Sequence, residues 1–156
     1  MASSDTPAAA PAPLSGPVLF AYDGSELAKL AIGEAGRQLA PGRDALVVCV
    51  WQTGDLGFLP ADERLNAAEA TEVRKAAEEV AAAGAALAEK AGFRAQSVAV
   101  TAAPTWKGIV AVAGEREASL IVLGSHSRRG LARHLLGSVA AAVVAHSGAS
   151  VLVVHS

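Results

Sequence analysis

Cysteine, aromatic residues and long apolar runs are all scarce in this sequence of 156 residues. Its single cysteine, Cys49, lies inside the apolar run 46–50, which excludes a disulfide framework or a cysteine-rich metal site and predicts a buried, inert thiol. No apolar run approaches the roughly 18 residues that a membrane span requires. Residues 1–16 are rich in Ala, Pro and Ser, without the basic and continuous apolar regions of a signal peptide. We therefore expect a cytoplasmic protein with a flexible tail at 1–16 and one folded domain at 17–156.

A strong charge of either sign is also missing, because the net charge is only −2. General nucleic-acid binders and membrane-surface binders normally carry a basic excess over the whole domain, so we expect neither activity. The positive charge is local instead: no carboxylate follows Glu117, whereas Arg128, Arg129 and Arg133 lie close together after it. A local patch of this kind suits a small anionic ligand better than a polymer.

The familiar motifs of nucleotide hydrolysis and acyl transfer are absent from the sequence. It has no P-loop ending in Gly-Lys-Ser or Gly-Lys-Thr, no G-x-G-x-x-G after the first apolar run and no G-x-S-x-G. The four histidines, His126, His134, His146 and His155, do not have the spacing of metal ligands. Binding is therefore favoured over catalysis, and no metal site is predicted.

Five short apolar runs alternate with helical patterns along the chain. Continuous apolar runs indicate strands buried on both faces of a parallel sheet, and these five lie at 18–22, 45–51, 97–101, 120–123 and 151–155. Helical spacing of apolar or small residues predicts helices at 28–39, at 73–91, after Pro104 and around 136–145. The pattern predicts an α/β fold: a single doubly wound five-stranded parallel sheet, order 3-2-1-4-5, with helices on both faces in the Rossmann-like manner.

Two loops are the best candidates for a binding site. In doubly wound sheets the ligand lies at the carboxyl ends of the strands where the winding reverses, which here selects the loops after strands one and four. The first carries Asp23, Gly24 and Ser25; the second is the glycine- and arginine-rich segment 124–138. Glycine allows close backbone approach, and a helix that begins at the end of the second loop would direct free N–H groups toward an anion. A surface turn with solvated arginines is the alternative.

Single residues in these loops have two interpretations each. The Asp23 carboxylate either accepts a hydrogen bond from a base or ribose, or caps the first helix with Glu26 as the partner of a capping box. Ser138 either contacts a phosphate or caps the fourth helix. The three arginines either bind phosphate or point into water, and we expect one of them to reach the ligand.

One further segment, 52–65, is long for a connection between a strand and a helix. It is either a lid, a loop that contacts a partner, or a variable surface excursion.

Two motifs in this sequence resemble those of the universal stress protein family. The resemblance rests on Asp-Gly-Ser after the first strand and on a late motif of Gly, two residues, Gly, nine residues and Gly-Ser. Gly124 takes the place of the first glycine and Gly137-Ser138 that of the last pair. Ser127 departs from the motif, because it stands where the family has its middle glycine. The resemblance covers nearly the whole chain from Pro17 onward.

The resemblance implies an adenine-nucleotide site, with ATP, with or without magnesium, as the expected ligand; AMP also suits it. Asp23 and Val50 would flank adenine and ribose, whereas Gly124, Gly137, Ser138 and Val139 would hold the phosphates. The full set of candidate ligand-binding residues is Asp23, Gly24, Ser25, Val50, Gly124, Ser125, Ser127, Arg128, Arg129, Gly137, Ser138 and Val139. Members of the family often form dimers through the last strand, so we also expect a homodimer through 151–155.

Three hypotheses of function follow. The leading one is a cytoplasmic stress-response protein that binds ATP and acts as a nucleotide-dependent regulator, with little or no turnover. The alternative is a ligand-free dimeric interaction module that has lost the nucleotide through Ser127. The third is slow ATP hydrolysis or autophosphorylation at Ser125, Ser127 or Ser138, for which only Asp23 or His126 offers a general base.

Overall fold

The computed structural model describes residues 16–52, 67–125 and 136–155. Strands and helices alternate throughout this part of the chain: β1 (Val18–Ala21), α1 (Glu26–Gln38), β2 (Asp44–Trp51), α2 (Ala67–Lys90), β3 (Arg94–Thr101), α3 (Thr105–Glu115), β4 (Leu120–Ser125), α4 (Ser138–His146) and β5 (Ser150–His155). All neighbouring strands are parallel, and their order is β3-β2-β1-β4-β5. The predicted fold class and strand order are confirmed.

β1 lies at the centre of the sheet, and its side chains alternate between two hydrophobic layers. Val18 and Phe20 pack in one layer with α1 and α2, as does Tyr22 just after the strand, whereas Leu19 packs in the other layer with α3 and α4. Because each face of β1 is covered by helices, apolar residues occupy consecutive positions along it. Phe20 also meets Phe93 edge to face, with 5.2 Å between the ring centroids.

The expectation that all five strands are buried on both faces is wrong for the outer strands. β3 begins at Arg94, three residues earlier than predicted, and Gln96, Ser97 and Thr101 are exposed on it. The reason is its place at the edge of the sheet, next to β2 alone. Arg94 joins the strand because it lies opposite Asp44 in the register, with 2.9 Å between Arg94 Nε and Asp44 Oδ1.

Small residues let α2 lie very close to the sheet. A Cβ atom on Gly84 would lie 2.6 Å from Tyr22 Cδ1 and 2.7 Å from Val47 Cγ1, so even one methyl group would collide with the strands. Ala81 and Ala88 are completely buried beside it. The line of contact therefore runs along the alanine and glycine positions, and the larger apolar residues Val73, Val80 and Leu87 are half-buried on its flanks.

The amino ends of β1 and β4 are joined by a polar contact. Ser119 Oγ donates to the Gly16 carbonyl at 2.7 Å, and Arg43 Nη2 donates to Ser119 Oγ at 2.6 Å. Ser119 is buried, so these bonds offset the cost of removing its hydroxyl from water. They hold the end of the sheet that lies opposite the predicted binding loops.

Candidate functional site

A cleft of about 170 Å³ lies at the carboxyl ends of β1, β2 and β4, where the chain winds away from β1 on two sides. Five of the predicted ligand-binding residues line this cleft: Asp23, Ser25, Val50, Gly124 and Val139. The structure thus brings together, at the predicted place, residues that are more than a hundred positions apart in the sequence. Ser127, Arg128 and Arg129, together with most of the segment 52–65, lie outside the described residues.

Most of the cleft wall is apolar, and the sequence reasoning missed much of it. The additional lining residues are Ala21, Tyr22, Leu27, Ala28, Val48, Thr105, Ile109 and Leu123. Thr105 adds a polar group, and its Oγ1 accepts a hydrogen bond from Gln52 Nε2 at 2.9 Å. Its position as the first residue of α3, after the short connection that follows β3, is a signal that could have pointed to it; the apolar residues had been assigned to the core.

The first loop is ordered by its own side chains. Ser25 is the N-cap of α1, because its Oγ accepts the Ala28 N–H at 3.1 Å. The Asp23 Oδ1 atom accepts the Ser25 N–H at 2.9 Å, and Gly24 between them has a positive φ of 82°. Asp23 therefore bonds to the N-cap residue and is not itself the N-cap, so the suggestion that it caps α1 is wrong. Its exposed carboxylate retains acceptor capacity at the cleft.

The suggested capping box is also not formed. Glu26 Oε1 accepts a hydrogen bond from Lys29 Nζ at 3.1 Å instead of reaching back over the start of the helix. This hydrogen bond, together with the attraction between the two charges, raises the pKa of the Lys29 ammonium. Both groups are largely exposed, so they contribute surface charge beside the cleft rather than a buried site.

Packing requires a glycine at position 124, which the motif alone did not reveal. A Cβ atom there would lie 2.5 Å from Leu27 Cγ and 3.2 Å from the Leu27 carbonyl oxygen. The first turn of α1 therefore packs directly on the backbone of β4. This contact explains the glycine whether or not a ligand approaches the same backbone.

At the end of the second loop, Gly137 is the N-cap of α4, and no side-chain hydrogen bond caps this helix. The Gly137 N–H donates to Ser125 Oγ at 2.8 Å, and its carbonyl accepts the first helical bond, from the Ala141 N–H at 2.9 Å. Ser138 is the first helical residue, so the suggestion that it caps α4 is wrong. The N–H groups of Ser138 and Val139 lie in the first turn, before the repeating bonds of the helix begin, and the positive end of the helix dipole lies there too.

No group of three or more His, Cys, Asp or Glu side chains in residues 16–52, 67–125 and 136–155 is placed to hold a metal ion. Of the helices in these same ranges, none is both long and apolar enough to cross a membrane.

The fold and the cleft together define a Rossmann-like α/β domain with a cleft at the switch point of the sheet. Residues 15–155 match the Universal stress protein family, and the chain belongs to this family. A search of curated proteins found no match.

Solved structures of similar fold cover nearly the whole chain. The hypothetical protein MJ0577 is 24% identical, with a TM-score of 0.70 over 91% of this chain and 96% of its own. A universal stress protein in complex with cAMP is 25% identical, with a TM-score of 0.63 over 90% and 96%. The universal stress protein from Archaeoglobus fulgidus in complex with dAMP is 22% identical, with a TM-score of 0.56 over 88% and 96%.

Proposed function

We propose that this protein binds an adenine nucleotide, with ATP as the expected ligand, in the cleft between β1, β2 and β4. The observation that carries the proposal is the convergence of three different features in one cleft. Val50 and Ile109 offer apolar walls for a base, Asp23 offers a carboxylate for ribose hydroxyls, and α4 begins beside Val139 with free backbone donors for phosphate. The family members whose structures contain cAMP and dAMP support the adenine class.

The size of the cleft is consistent with a ligand whose base alone lies inside the described walls. Its volume of about 170 Å³ is below the ~300–1,000 Å³ of pockets that enclose a complete ligand. The described walls therefore suit the base, with ribose and phosphates extending toward Asp23 and the start of α4. Arg128 and Arg129 would add charge to the phosphate end, where a magnesium ion could also accompany ATP.

The role proposed for the nucleotide is regulatory. Asp23 already accepts the Ser25 N–H and is exposed to solvent, and neither feature is typical of a general base held ready for attack on a phosphate. We therefore propose a cytoplasmic stress-response regulator whose nucleotide state is read by a partner, with little or no turnover.

A matched pair of substitutions on α4 tests the binding site. Val139 and Val144 are both exposed, with 36% and 47% of their surface accessible, but only Val139 lines the cleft. Val139→Trp would fill the cleft and should weaken ATP binding about tenfold or more in isothermal titration, whereas Val144→Trp should bind like the parent. Equal affinity of both variants and the parent would contradict the site, and no binding by the parent would contradict the function.

We also propose that β5 pairs with its counterpart in a second copy. β5 lies at the edge of the sheet next to β4 alone, and its Val151, Leu152 and Val153 are only half-buried. An apolar edge strand is an aggregation hazard unless it is covered, and pairing across a two-fold axis covers it. Sedimentation velocity should show a dimer; a monomer at all concentrations would contradict this proposal.

The alternative function keeps the fold and the dimer but omits the nucleotide. It is favoured by Ser127, which replaces the middle glycine of the family motif. A parent protein that binds no nucleotide, together with a Ser127→Gly variant that does, would favour an interaction module over a nucleotide-dependent regulator.

A further inference from the structure

Ser125 is a buried polar residue at the end of β4, and its surroundings explain why it is buried. Only 2% of its surface is exposed. A hydroxyl in such a place is costly unless it forms a hydrogen bond. Here the Oγ atom accepts the Gly137 N–H at 2.8 Å, across 12 positions of the sequence. This bond is a link between the end of a central strand and the first turn of α4.

The link fixes where the backbone donors of α4 lie relative to the sheet. Gly137 is the N-cap, so holding its N–H also holds the N–H groups of Ser138 and Val139, which follow directly in the first turn. Val139 lines the cleft. Because the Gly137 N–H is already engaged by Ser125, the first-turn donors left for a phosphate are those of Ser138, Val139 and Ala140.

Ser125 itself does not line the cleft. The cleft lining includes its neighbour Gly124 on β4 but does not include Ser125. Ser125 shares its face of β4 with Leu123, which lines the cleft, but the Ser125 side chain is buried and its Oγ is engaged by the Gly137 N–H.

We propose that Ser125 is a positioning residue for the phosphate end of the nucleotide site: it acts through Gly137 and does not touch the ligand. This inference rests on the proposed function. The hydroxyl holds the start of α4 in the orientation that presents its N–H groups to phosphate, so the affinity for phosphate-bearing ligands depends on it. The base and ribose contacts lie on β1, β2 and α3, and they do not depend on it.

Two variants of equal size isolate the hydroxyl. Ser125→Thr keeps the acceptor, whereas Ser125→Val has the same shape without it; Ser125→Ala checks that neither effect comes from the added methyl group. Each variant is titrated with ATP and with adenosine. In addition, the exchange rate of the Gly137 amide proton is measured by NMR without any ligand.

We expect Ser125→Val and Ser125→Ala to bind ATP about tenfold more weakly and adenosine within about twofold of the parent, which corresponds to the loss of one hydrogen bond. The Gly137 amide should exchange faster in both. Ser125→Thr should resemble the parent in all three measurements. A general structural role would instead weaken ATP and adenosine together.

Several results would overturn the inference. These are unchanged ATP affinity in Ser125→Val, an equal loss for ATP and adenosine, or the same loss in the Thr and Val variants. If the parent binds neither ATP nor adenosine, the proposed function fails and the phosphate role of Ser125 fails with it. If the parent binds ATP and adenosine equally well, the site does bind adenine compounds but gains nothing from the phosphates, and the proposed role of Ser125 is wrong.

Discussion

Leu27 packs on the backbone of Gly124 so closely that a Cβ atom on Gly124 would lie 2.5 Å from Leu27 Cγ. The first glycine of the late motif is therefore also a packing position between β4 and α1. This double role affects how the site can be tested, because a substitution at Gly124 changes the core as well as any ligand contact.

Gly124→Ala should lower the free energy of unfolding by about 1–3 kcal/mol, because the added methyl group overpacks the contact with Leu27. Urea denaturation without nucleotide measures this cost. The double variant with Leu27→Ala should lose less than the sum of the two single variants, since each change makes room for the other. Additive losses would contradict the packing role.

Gly84→Ala should also be destabilising, by about 1–3 kcal/mol, because its methyl group would press on Tyr22 and Val47. Gly33→Ala is the matched control, since Gly33 is also in a helix and its Cβ would meet only the Arg37 guanidinium at 3.8 Å. The control should be stabilising by about 0.5–1 kcal/mol through helix propensity. Thermal unfolding compares the two, and a similar Tm for both variants would contradict the close approach of α2.

Ser25→Ala should cost about 1 kcal/mol, because the Ala28 N–H loses its capping oxygen. Ser25→Asp keeps an acceptor and should unfold at nearly the same urea concentration as the parent. Glu26→Ala should have little effect, since Glu26 forms an exposed ion pair with Lys29 and does not accept a backbone N–H at the start of the helix. A larger loss from Glu26→Ala than from Ser25→Ala would indicate that Glu26 does form the capping box.

Much of the fold could be predicted from the sequence because its signals are local. Apolar runs, helical spacing and the break at Pro41-Gly42 each depend on neighbouring residues, and α1 does end at Gln38, just before that break. The order of the strands then followed from topology and from the family resemblance. The exposure of β3 was less visible: the predicted order places it at the edge, but a run such as Val98 to Val100 has the same composition at the edge of a sheet as at its centre.

The site was predicted in outline, and its details depended on contacts between distant residues. Asp23, Val50 and Val139 meet in one cleft, as the switch-point rule required. The capping role of Ser25, the contact of Gly124 with Leu27 and the bond from Gly137 to Ser125 depend on side-chain direction in three dimensions. A motif records that glycine or serine is present at such a position, but it does not show which neighbour requires it.

The most direct test of the nucleotide cleft is an NMR titration of the isotope-labelled protein with ATP and magnesium. The amide signals of Asp23, Val50 and Val139 should move with a common dissociation constant, because these residues surround the proposed ligand. The signals of Gly16 and Ser119, at the opposite end of the sheet, should remain in place. Saturable shifts confined to the cleft would support the account; no shifts there, or shifts centred elsewhere, would contradict it.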